Sequence, residues 1–145
     1  EMVEAMADLA REEMEHFQRV HALIRERGWT LGRERKDPYV HDLAKFFAGG
    51  ASRDRGLINK LLLAAMIEAR SCERFRVLSE NMQDPKLAAF YAELMRSEAM
   101  HYTMFLQFAR KYGKGLVDVD ALWQEFLAYE ATVIAAYGKK EHIHG

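Results

Sequence analysis

Glu13 with His16 and Glu98 with His101 form two Glu-x-x-His pairs, and with a lone Glu68 they put ionisable groups where a helix should present its driest surface. Steps of alternately four and three residues hold side chains on one seam of a helix, the seam that faces a bundle core. One seam runs Met2, Met6, Leu9, Glu13, His16, Val20, Leu23, a second Ile58, Leu61, Ala65, Glu68, Cys72, Phe75, and a third Leu87, Tyr91, Leu94, Glu98, His101, Phe105, Phe108. The polar exceptions fall in mid-helix each time. A carboxylate buried alone is costly, or takes up a proton as its pKa rises. Five such groups at one depth need a shared partner, and carboxylates with imidazoles are metal ligands. Without a thiolate the mixture suits iron or manganese.

Two carboxylates and two Glu-x-x-His pairs, contributed by four helices, converge on two metal ions in four-helix bundles of the ferritin-like type. Five of those six ligands are present, so the sequence predicts an all-α, ferritin-like bundle with a di-iron centre. Glu98 follows Glu68 by 30 residues, and the same interval counted back from Glu13 falls before the first residue. The chain also opens at Glu1, in a helical pattern, rather than at a start methionine. The expectation is therefore that the first ligand-bearing helix, with the sixth ligand, is missing from this chain. A third match, Glu141 with His144, lies in a polar tail after Gly138 and reads as a solvated end.

A chain of 145 residues, 50% hydrophobic, can bury one core, so residues 1–145 are expected to form a single helical domain, incomplete at its N-terminus. A net charge of −1 supplies no global field to attract nucleic acid or membrane, and such a partner would need a local patch. The single cysteine, Cys72, excludes an internal disulfide and a four-cysteine metal centre. No apolar run is long enough to span a membrane. A cytoplasmic protein without a membrane partner is expected, and the sequence leaves the oligomeric state undefined.

The elements that must position the ligands are marked by their ends. The first helix runs from about Glu1 to Arg27 and stops at Gly28. Asp37 and Pro38 cap and start a short helix to about Ala48, inside the long crossover expected of such bundles. The second long helix starts after Ser52 or Asp54 and runs to about Met82. Asp84 and Pro85 start the third, which ends near Tyr112 and Gly113. Asp118 or Asp120 opens a last helix through Val119, Leu122, Phe126, Tyr129, Val133 and Ala136. That seam carries no ligand and reads, with Trp123 and Tyr137, as packing. The crossover predicts that the first and second long helices run parallel and that the third returns antiparallel.

An antiparallel return brings Arg53, Arg55 and Lys60 to the same end as Arg110, Lys111 and Lys114. This cationic cap is a candidate phosphate contact, although Arg110 and Lys111 also complement the dipole of their own helix end. Arg25, Arg27, Arg33, Arg35 and Lys36, interleaved with Glu26 and Glu34, read as solvated loop.

The run Ile67-Glu68-Ala69-Arg70-Ser71-Cys72-Glu73-Arg74-Phe75 adds a more specific signal. Together with Leu9-Ala10-Arg11-Glu12-Glu13 leading to His16, and Ser97-Glu98-Ala99 leading to His101-Tyr102, it resembles the MiaE family of tRNA hydroxylases over roughly residues 5–113. The resemblance implies an O2-dependent, non-haem di-iron monooxygenase acting on the isopentenyl group of 2-methylthio-N6-isopentenyladenosine beside the tRNA anticodon. An external electron donor, a protein or reductase, is implied as well. By position, Glu13 and Glu98 would bridge two iron ions, His16 and His101 would bind one each, and Glu68 would be a terminal ligand. These residues are the candidate catalytic centre. The resemblance leaves the work of Arg70, Cys72, Glu73 and Arg74 open. Cys72 reads as a small buried hydrophobe, Arg70 with Glu73 as a pair supporting the site or linking helices, and Tyr91 and Tyr102 as core tyrosines.

First-guess chemistry from ligands alone does not select among di-iron reactions. A rubrerythrin-like ferroxidase or peroxidase shares these ligands, although the usual form carries a four-cysteine centre that this chain lacks. A non-catalytic helical RNA-binding scaffold could retain the same groups as buried hydrogen-bond partners. It would be stable without metal, and Glu68→Leu would then be neutral or stabilising.

Overall fold

The computed structural model describes residues 1–33 and 38–137, whose regular elements are helices, with no strand among them. The Asp37 cap, the loop residues Glu34, Arg35 and Lys36, and the tail pair Glu141 and His144 lie outside the described residues. The chain forms two compact units, Glu1–Lys36 and Asp37–Gly145.

The first unit is built on α1, Met2–Glu26. It ends because Gly28 adopts a left-handed φ of 71°. That turn lets the Gly28 N–H donate to the Arg25 carbonyl at 2.9 Å and the Trp29 N–H to the Ile24 carbonyl at 3.1 Å, satisfying carbonyls that the helix end would otherwise expose.

The second unit contains α2 (Pro38–Ala44), continued by a 3-10 turn over Lys45–Phe47, then α3 (Arg53–Asn81), α4 (Pro85–Gly113) and α5 (Val119–Tyr137). Each long helix starts at a side-chain cap. The Arg55 N–H donates to Ser52 Oγ at 3.3 Å, the Lys86 N–H to Asp84 Oδ1 at 2.9 Å with Pro85 in the first turn, and the Ala121 N–H to Asp118 Oδ1 at 3.0 Å.

Helices α3 and α4 form an antiparallel hairpin. Phe75 stacks on Tyr91 near the turn, with ring centroids 5.8 Å apart, and at the other end Ile58 lies beside Gly113. Leu61, Leu62, Ala65, Met66, Leu94, Phe105, Phe108 and Ala109 are buried along this pair. Gly113 is required by close approach: a Cβ there would lie 2.4 Å from Val119 Cγ2. Phe46, Phe47, Phe126 and Tyr129 form an aromatic cluster joining the turn after α2 to α5.

Candidate metal centre

Glu68 sits mid-way along α3, and Glu98 and His101 sit mid-way along α4. Equal arms on the two sides of the hairpin turn bring them to the same depth. Glu98 and His101 are 6% and 4% exposed, while Glu68 is half-buried. One oxygen from each carboxylate and one imidazole nitrogen lie within 4.8 Å of one another. An ion with ligand bonds of about 2 Å bridges such a set after small side-chain rotations. Two hard carboxylate donors and one imidazole fit iron or manganese.

Glu13 and His16 lie one turn apart on α1, with His16 Nδ1 3.6 Å from a Glu13 carboxylate oxygen. Both are half-buried, and no residue of α1 is fully buried. Cys72, one turn after Glu68, is half-buried, and burial together with the charge of Glu98 raises its thiol pKa. It stays a neutral thiol at neutral pH.

The structure gives Arg70 a partner that the sequence reading missed. Its Nε donates to Glu130 Oε1 of α5 at 3.1 Å, and its Nη2 donates to the same oxygen. The Tyr39 hydroxyl of α2 donates to that oxygen too, at 2.9 Å. Arg70 Nη1 also contacts Glu73 along its own helix, so the Arg70–Glu73 pair does not link helices. Burial opposes the charge on Arg70, but the hydrogen bond and charge of Glu130 outweigh it and raise the pKa. Burial and the negative charge of Glu130 push the Tyr39 hydroxyl well above the usual phenol range.

Helix α5 packs as expected, with Val119, Leu122, Phe126 and Val133 buried, but it also buries Glu130, 4% exposed, which the packing seam did not include. The signal was in the sequence. Val119, Trp123, Phe126, Glu130, Val133 and Tyr137 form a second four-and-three seam with a carboxylate in its middle, as Glu68 has in α3.

At the far end of the hairpin, Arg53, Lys60, Lys111 and Lys114 are exposed and Arg55 is half-buried. Arg55 Nε donates to Asn59 Oδ1 at 3.1 Å. Arg110 is held by Asp120 of α5, with Nε at 2.9 Å and Nη2 at 2.8 Å from Oδ1, which offsets its charge. A cleft of about 580 Å³, lined by Phe46, Phe47, Gly49, Gly50 and Arg55 among others, opens beside this end. Tyr91 packs on Phe75 and Phe90, and Tyr102 on Trp123, as core aromatics do. Among the described residues no helix is long and apolar enough to cross a membrane.

An all-helical chain with a carboxylate and imidazole cluster on its central hairpin is the ferritin-like class of protein. The solved structure of Protein 43 with aldehyde deformylating oxygenase activity, from Synechococcus, has the same class of fold. The match has a TM-score of 0.76 and 31% sequence identity, and covers 94% of this chain and 65% of that one. Residues 1–145 match the family described as tRNA-(MS[2]IO[6]A)-hydroxylase (MiaE), and the chain belongs to that family. Two curated relatives carry the name tRNA 2-(methylsulfanyl)-N(6)-isopentenyladenosine(37) hydroxylase. The Pseudomonas putida protein is 37% identical over 113 residues, covering 78% of this chain and 54% of the relative. The Salmonella typhimurium protein is 33% identical over 150 residues, covering 99% and 52%. The chain thus spans about half the length of the curated relatives it matches.

Proposed function

We propose that this chain carries the catalytic centre of a tRNA-modifying, non-haem di-iron monooxygenase, which hydroxylates the isopentenyl group of 2-methylthio-N6-isopentenyladenosine next to the anticodon. The observation that carries the reading is the clustering of Glu68, Glu98 and His101 in a chain of the MiaE family. Glu13 and His16 join them in the proposed ligand set, a role supported by their seam position and by the family motif around them. Two iron ions held by this set would supply the activation of O2 that oxidation of a carbon–hydrogen bond requires. The overall reaction places one oxygen atom in the C–H bond and releases the other as water, so two electrons and two protons must be supplied. An external electron donor provides the electrons.

The side chains of the chain itself do the positioning. Glu98 and His101, both buried, hold their donor atoms away from bulk water, and Glu68 closes the set from the facing helix. Arg53, Arg55, Lys60, Lys111 and Lys114 bind tRNA phosphates at the end of the hairpin, while Arg110 shares its charge with Asp120. A tRNA substrate implies work in the cytoplasm.

The test is nucleoside mass spectrometry of isopentenylated tRNA after incubation with iron-loaded protein, reductant and O2, beside a Glu68→Ala variant. The expected result is a gain of one oxygen that requires Glu68. No gain with iron demonstrably bound would reject the hydroxylase reading in favour of ferroxidase or peroxidase chemistry.

A further inference from the structure

Glu68 and Arg70 are two residues apart on α3, so their side chains leave the helix about 200° from one another. Glu68 faces Glu98 and His101 of α4, and Arg70 faces Glu130 of α5. Three donors, two from Arg70 and one from Tyr39, meet on one buried oxygen of Glu130. Helices α2, α3 and α5 are therefore tied together at one point on the side of α3 away from the ligands.

The apolar contact between α3 and α4 opposes their separation but distinguishes poorly between neighbouring rotations, because cores tolerate repacking of similar volume. Metal ligation is less forgiving. A rotation of about 20° carries an atom about 5–6 Å from the helix axis through about 2 Å, whereas ligand distances hold to about 0.2 Å. A guanidinium that places two donors on one buried acceptor has a fixed direction, unlike an apolar contact.

The geometry points to Arg70 and Glu130 as positioning residues that set the rotation of α3 and so aim Glu68 at the metal site. This rests on the metal reading of Glu68, Glu98 and His101. Neither residue belongs to the ligand cluster, and both act through Glu68.

The test is titration of the protein with Co(II), reading affinity and the visible ligand-field spectrum, with circular dichroism for folding. Glu130→Gln and Arg70→Lys are compared with an apolar variant that combines Arg70→Met, Glu130→Leu and Tyr39→Phe, and with Glu68→Ala. Removing support behind a metal ligand typically weakens binding about 10- to 100-fold, and Glu130→Gln is expected in that range with a changed spectrum. Arg70→Lys keeps the charge but not the fork, so it recovers only part of the affinity. The apolar variant leaves neither a charge nor the Tyr39 hydroxyl without its Glu130 partner at this point, so it should melt at or above the parent temperature, yet still bind Co(II) weakly. That separation of stability from binding distinguishes positioning from a merely structural role, and it holds even if a single variant fails to fold. Parental affinity and spectrum in the apolar variant, with binding lost in Glu68→Ala, would overturn the positioning role alone. Unchanged Co(II) binding in Glu68→Ala would overturn the metal reading, and the positioning role with it.

Discussion

Glu98 and Glu130 are both carboxylates on helices and both almost fully buried, yet they are accommodated in different ways. Glu130 has Arg70 beside it. Glu98 clusters with a second carboxylate and an imidazole, an arrangement that a cation stabilises. His101→Ala should therefore reduce bound iron, measured by elemental analysis, without loss of helical content. Cys72 gives an independent check of this environment. Burial and the charge of Glu98 raise its thiol pKa, so the reactive thiolate is scarcer at neutral pH than in an unperturbed cysteine. Iodoacetamide should alkylate Cys72 more slowly than a free thiol at pH 7, and the rate should climb with pH through a midpoint above the ordinary cysteine value. Glu68, Glu98 and His101, which cluster, were legible because each interrupts an apolar seam. Glu130 escaped because α5 supports two overlapping seams, and the one through Leu122 and Tyr129 is wholly apolar at the position where the other carries the carboxylate. Its partner, Arg70, stood out in the sequence, but a contact across 60 residues leaves no local pattern.

Helix boundaries were far more legible than contacts, since a boundary is written by the few residues that form it. Gly28, Ser52, Asp84 with Pro85, and Asp118 each stand where the structure ends or begins a helix. Asp84→Ala removes the acceptor for the Lys86 and Leu87 N–H groups and should cost about 1 kcal/mol in denaturant unfolding. Gly113 was legible as a helix end, but the physical demand on it is steric. An alanine there would meet the branched side chain of Val119, whose rotamers are few. Gly113→Ala should destabilise the protein by about 1–3 kcal/mol, read as a lower melting temperature. Substituting Gly56, where an added Cβ meets nothing, should not share this steric penalty.

A net charge of −1 hides a cluster of cations, Arg53, Arg55, Lys60, Lys111 and Lys114, at one end of the α3–α4 hairpin. Charge reversal at Arg53, Arg55 and Lys114 should weaken tRNA binding and flatten its dependence on salt, with iron content unchanged. Filter binding across a salt series would measure both, and unchanged binding would reassign these residues to helix ends. The antiparallel hairpin gives this arrangement a built-in length. Arg55 lies 13 residues before Glu68 on α3, and Lys111 lies 13 residues after Glu98 on α4. At the helical rise, each interval is about 20 Å. On the proposed function the hairpin would be a ruler, with phosphate anchors at one mark and oxidation chemistry at the other, and only a substrate at least that long would touch both. A free nucleoside would reach one mark at a time, so on that function a folded RNA would gain by avidity what its single modified base cannot.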